Sequence, residues 1–406
     1  MMDRRKFLTS AVLGCSAAAS PLVTPLTLAS APWEGRLVVI ILRGALDGLD
    51  AVRPLGDPGY LALREGLLET GAEDHGLDGF FALHPGLAPL VPLWQAGELS
   101  VAHATSTPYR DKRSHFDGQA ILEAGAWARG GDIPVDGWLN RLLQIAPGVE
   151  ARTAFSVGRE RMHLLAGAGP HATWLPKTEL ALSAQAQQLL ELVYHEDPLF
   201  RDAARQAGEI IADVDAAPMM EEEDEAAMGS MMDGMAGGPG LGRFTGEVAR
   251  FVVEQLGLET RIAAFSLGGW DTHSGQNAAL NRGLGQLATT ILTLKAGLGP
   301  IWGKTAVLVM TEFGRTARVN GNRGTDHGTG GAMLMAGGAL KGGQAFGGWP
   351  GLDESDLYAG RDLMPTRDIR AYAGHIMRAM FGVSSGDLER VIFPGLDLGE
   401  DPGLLL

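Results

Sequence analysis

One cysteine, Cys15, is all the thiol that the 406 residues contain. Beyond it the chain can build neither a disulfide nor a thiolate metal site, so any metal falls to His, Asp or Glu. Positive charge is also scarce. With 33 Lys and Arg against 48 Asp and Glu, the net charge is −15, and such a field repels nucleic acid and anionic membrane surfaces. No nucleic-acid partner is expected. A long unbroken apolar run is missing too: the apolar stretch near the N-terminus is interrupted by Pro21 and Pro25, which counts against a stable membrane span. What is present is a globular composition, 45% hydrophobic, with 58 glycines gathered in short loops without a triplet period.

The first residues pair Arg4 with Arg5, follow with Phe7 and Leu8, and run to Ala-Ser-Ala at 29–31. This resembles a twin-arginine signal peptide over 1–31, which implies the twin-arginine export machinery as partner and a periplasmic location. Cys15, in "VLGCS", also resembles a lipoprotein attachment site, although a small residue in the signal's core explains it as well.

Residues 32–406 read as a single α/β domain. "RLVVIIL" is a buried strand, a second strand covers Leu99 to Ala104, and further strands are "TAFSV", "RIAAFSL", "KTAVLVM" and "AMLMAGGAL". Helical periods separate them: "SHFDGQAILEAGAWA" with Ser114 as N-cap, "DGWLNRLLQIA", residues 183–214, "TGEVARFVVEQLGL", a long helix ending near Leu298, and "TRDIRAYAGHIMRAM". Alternation of this kind predicts a mainly parallel sheet with helices on both faces. Residues 216–243 form an acidic, Met-rich insert of low complexity, expected to be disordered. Its six methionines suit a soft ion, but nothing fixes their geometry.

In such a sheet ligands bind at the carboxyl ends of the strands. Polar clusters fall at four of them: Arg43 and Asp47; His103, Arg110, Arg113, Ser114, His115 and Asp117; Asp271 and His273; and Glu312, Arg315, Asp326 and His327. Asp47, Asp271, His273, Glu312, Asp326 and His327 make an oxygen and nitrogen set suited to a divalent Zn, Mn, Fe or Mg. Ser114 sits where helix N–H groups favour an anion, and Arg113 and Arg315 have the chemistry of an oxyanion clamp. Plainer roles are open to each: Asp47 as a turn former, Ser114 as a cap, Asp271 and His273 as a loop network. The glycines at 324, 328, 330 and 331 around Asp326 and His327 suggest close backbone approach to a ligand.

The motifs "ILRGALDGLDAV", "KRSHFDGQ", "GGWDTHSGQ", "TEFGRT" and "GTDHGTGG", in this order, resemble the exported bacterial family of domain of unknown function 1501. That family in turn resembles the alkaline phosphatase and sulfatase superfamily. The resemblance implies an alkaline-phosphatase-like sheet, Asp47 as the first-strand metal ligand, Ser114 near the nucleophile, and Asp271, His273 and His327 as ligands. Glu312 and Phe313 stand where the superfamily has an Asp-His pair, which counts against a complete two-metal centre. Two functions follow as expectations. One is a metal-dependent hydrolase of phosphate or sulfate esters acting on a small anionic ester. The other is a non-catalytic module binding an envelope component.

Overall fold

The apolar runs become strands whose alternate residues bury on opposite sides. In the computed structural model the described residues are 33–68, 75–110, 112–127, 133–158, 162–175 and 241–406. The expected signal peptide, the helical stretch 183–214 and residues 216–240 of the insert lie outside them. Besides a small antiparallel sheet of Val52–Arg53, Ala82–Leu83 and His75–Gly76, the strands of the main sheet are β1 (Arg36–Leu42), β2 (Leu99–Ser106), β3 (Ala154–Val157), β4 (Ala172–Trp174), β5 (Ile262–Leu267), β6 (Thr305–Thr311), β7 (Gly331–Ala336), β8 (Ala345–Phe346) and β9 (Arg367–Asp368). Their order is β8-β2-β7-β6-β1-β5-β3-β4, with β9 beside β2. In this main sheet every pairing is parallel except those of β7, which runs antiparallel to both β2 and β6.

Helices cover both faces. In β1, Leu37, Val39 and Ile41 join one core with α2 (Trp138–Ile145) and α5 (Ile369–Phe381). Val38, Ile40 and Leu42 join the other with α3 (Leu241–Gly257) and α4 (Gln276–Leu298). Two-sided burial explains why β1 is continuously apolar rather than alternating. Helix α1 (His115–Ala124) begins at Ser114, whose side chain accepts from Asp117 N, and ends on Gly125 at φ +64°. Helix α3 starts at Leu241, so the expected insert gives way to helix three residues earlier than its composition suggests. Among the described residues no helix is long and apolar enough to cross a membrane.

The reversed strand decides where the site lies. Because β7 is antiparallel to its neighbours, its first residue, Gly331, stands at the same edge as the carboxyl ends of β1, β2, β5 and β6. The whole connection from Glu312 to Gly330 therefore stays at that edge. It folds back on itself: Gly314 N donates to Thr329 O at 3.1 Å, Gly328 N to Gly314 O at 2.8 Å, and Thr316 N to Asp326 O at 2.9 Å.

Candidate metal centre

Asp271, four residues beyond β5, is the hub. Its Oδ1 lies 2.7 Å from Arg315 Nη1, 3.1 Å from His273 Nε2, 3.1 Å from His327 Nε2 and 3.4 Å from His115 Nε2. Burial alone raises its carboxyl pKa, but Arg315 and the imidazoles of His327 and His273 outweigh this and hold it at about 2.

The three imidazoles share one arrangement. His115 Nδ1 donates to Glu312 Oε1 at 2.8 Å, His273 Nδ1 to Asp326 Oδ1 at 3.0 Å, and His327 Nδ1 to the Arg113 carbonyl at 2.8 Å. Carboxylates and carbonyls only accept, so each neutral ring carries its proton on Nδ1 and presents a bare Nε2. Those lone pairs face inward. His273 Nε2 and His327 Nε2 are 2.9 Å apart, and the buried His115 Nε2 has no hydrogen-bond partner. Burial lowers the pKa of His327, whereas the bond to Glu312 raises that of His115. A cation among the rings resolves all three contacts at once.

The donor atoms of His115, Asp271 and His327 all lie within 4.8 Å of one another, and His273 Nε2 closes on two of them. Ligands on a single tetrahedral zinc at ~2.0–2.1 Å stand roughly 3.3 Å apart, close to the 3.1–3.4 Å from Asp271 Oδ1 to the three rings. The His115 and His327 nitrogens, fixed from behind, and the Asp271 carboxylate therefore fit a divalent transition metal better than Mg, which prefers oxygen, with His273 on the Asp271 and His327 side of the set.

Several expected roles change. Glu312 is fully buried, and its Oε1 accepts from Gly44 N, His115 Nδ1 and Gln119 Nε2 at 2.9, 2.8 and 3.1 Å. Burial pushes its carboxyl up, yet these donors keep it below the ordinary range, so it aims His115 rather than joining the converging donors. Asp326 likewise serves His273, not His327, with Asn320 Nδ2 on the same oxygen at 3.1 Å. Asp47 caps the short helix Gly48–Ala51 and is paired with buried Arg64 and with Gln276 Nε2 at 2.7 Å.

The clamp residues are committed as well. Arg315 is wholly buried and ties Asp271 to Thr325. Arg113 pairs with Asp362 at 2.9 Å. Ser114 is the cap of α1, and its N–H donates to Tyr109 Oη at 2.9 Å. His103 lies inside β2, with Nε2 on Val52 O at 2.9 Å, and burial drops its pKa to about 4; it is a neutral core residue.

His115 is the donor that sequence reasoning leaves out of the ligand set. It stands next to Ser114 in "SHFDGQ", where helix capping already explains the local pattern. Phe313, in the place of an expected histidine, stacks on the His115 ring with centroids 5.1 Å apart.

The glycines approach neighbouring backbone closely. A Cβ on Gly314 would sit 1.9 Å from Gly330 O, and one on Gly328 would sit 2.4 Å from the Arg315 carbonyl. We therefore expect Gly314→Ala to destabilise the protein by about 1–3 kcal/mol or more, measured by urea unfolding. An unchanged midpoint would mean that the hairpin has slack the packing does not show.

Residues 248–387 match the model of the family described as "Protein of unknown function (DUF1501)". The matched segment includes Asp271, His273, Glu312, Asp326 and His327 and leaves out Ser114 and His115. No curated protein matches the chain. Among solved structures, the lipoteichoic acid synthase LtaP from Listeria monocytogenes is similar with a TM-score of 0.42 and 9% identity, over 90% of this chain and 76% of that one.

Proposed function

We propose that this chain, which carries a DUF1501 segment, holds one divalent transition metal among His115, His273, His327 and Asp271 and uses it to hydrolyse a small phosphate or sulfate ester in the periplasm. The supporting observation is the common heading of the three rings: each Nδ1 is pinned by an acceptor and each Nε2 turns toward Asp271 Oδ1. When bound, such a metal supplies Lewis acidity to an ester oxygen and lowers the pKa of water.

The protein's own groups do the rest. Glu312 and Asp326 fix two of the rings, which limits reorganisation when charge develops. Asp271, with its carboxyl held at about 2, stays an anion throughout the neutral range and serves as ligand rather than general acid. The side chains of Asp271 and His273 are 43% and 42% exposed, which leaves one side open to an incoming ester. Attack falls to Ser114 or to water. Ser114→Ala separates these, because turnover that drops to background assigns the serine and retained turnover assigns water.

A second reading, a non-catalytic module for an envelope component, draws support from Arg315: its burial removes the expected anion clamp. Metal analysis by mass spectrometry of the folded protein, beside a His327→Ala Asp271→Ala double variant, is the first test. We expect about one divalent ion per chain, lost in the variant, followed by turnover on a panel of phosphate and sulfate esters. Wild-type protein that stays metal-free after reconstitution removes both the metal and the hydrolase. Metal without turnover on any ester leaves the binding module.

A further inference from the structure

The ring of His327 is tied, through Arg113, to Asp362, which none of the sequence motifs contains. Its Nδ1 proton goes to the carbonyl of Arg113, and Arg113 has φ +51°, the left-handed region that a non-glycine residue occupies only when its surroundings hold it there. The hold is visible in the side chain: Arg113 Nη2 pairs with Asp362 Oδ2 at 2.9 Å. Asp362 is fully buried. Its Oδ2 also accepts from Thr329 Oγ1 at 2.8 Å, two residues beyond His327. Its Oδ1 accepts from Arg361 Nη1 at 2.8 Å, and the same Nη1 donates to the carbonyl of His327 itself at 3.0 Å.

We propose that Asp362 is the positioning residue for His327. One buried carboxylate grips the residue whose carbonyl receives the ring proton, the residue that holds the His327 backbone, and the hydroxyl that fixes the chain after it. The proposal rests on the reading of His327 as a metal ligand. A neutral side chain of the same shape keeps the space but balances neither guanidinium, so the grip needs the charge.

The test uses full-length Asp362→Asn, with Arg113→Ala as the second variant in case the first folds poorly. Arg113→Ala keeps the backbone carbonyl and removes only its anchor. Zinc affinity, by chelator competition, is expected to fall by about 10–100-fold in Asp362→Asn and in the same direction in Arg113→Ala. Nitrogen-15 histidine spectra of the metal-free proteins give a second readout, one that a general loss of stability does not move. His327 is expected as the Nδ1–H tautomer in wild type and as a tautomer mixture in the variants. Unchanged zinc affinity together with an unchanged His327 tautomer overturns the proposal and leaves the metal reading standing. A wild type that binds no zinc overturns the metal reading, and this proposal falls with it.

Discussion

His115→Ala and His327→Ala are each expected to weaken metal binding by more than about a hundredfold, whereas Asp326→Asn and Glu312→Gln lose about 10–100-fold. The ranking follows from which atoms converge. His115 and His327 each place Nε2 beside Asp271 Oδ1, so truncating either removes a donor outright. Asp326 and Glu312 touch only the far nitrogen of a ring, and their loss leaves the donor in place but free to turn. His115→Ala is a fair test because the buried Glu312 keeps its bonds from Gly44 N and Gln119 Nε2, so the carboxylate is not stranded. Competition with a chromogenic chelator measures the order. If Asp326→Asn and His115→Ala lose metal equally, the division into donors and aiming groups is wrong.

That division was not legible in the sequence, although much around it was. Strand positions could be read because two-sided burial leaves continuous apolar runs, as in "RLVVIIL", and the start of α1 from Ser114, whereas the helical period in the sequence runs past Gly125, where the helix stops. The reversal of β7 could not, since an antiparallel strand buried on both faces has the same composition as a parallel one. Asp271, His273 and His327 stood out because polar groups follow directly on strands or glycines. Whether a carboxylate binds metal or aims an imidazole depends on which ring nitrogen it meets, and that is set by pairings such as Glu312 with His115, 197 residues apart. Asp362 lies in no motif, and besides the adjacent Arg361 its partners are Thr329 and the distant Arg113. The glycines of the 312–330 hairpin signalled a tight approach correctly, but composition cannot say whether the neighbour is a ligand or another backbone.

Asp47→Asn is expected to cost about 3–5 kcal/mol of stability and to leave metal affinity within a few fold. Asp47 and Arg64 are each 1% exposed and face one another, and the substitution leaves the guanidinium buried against a neutral amide. Desolvation works against the Asp47 carboxylate, but Arg64 and Gln276 outweigh it and hold the pKa below the ordinary value. The sign for pH follows. A group whose pKa is depressed on folding contributes stability that is fully present above its unfolded value, about 3.9, and that disappears as pH falls through the folded value. The gap between wild type and Asp47→Asn is therefore expected to stay constant from neutral pH down to about 5 and to close below that, as followed by urea unfolding across pH. This result opposes the ligand role that the superfamily resemblance implies for Asp47. A ligand's loss would strip the metal while leaving the metal-free protein nearly as stable, so unfolding of metal-free wild type and variant separates the two roles. Equal midpoints without metal would return Asp47 to the metal, and a large gap without metal makes it the counter-ion of a buried arginine beneath the site.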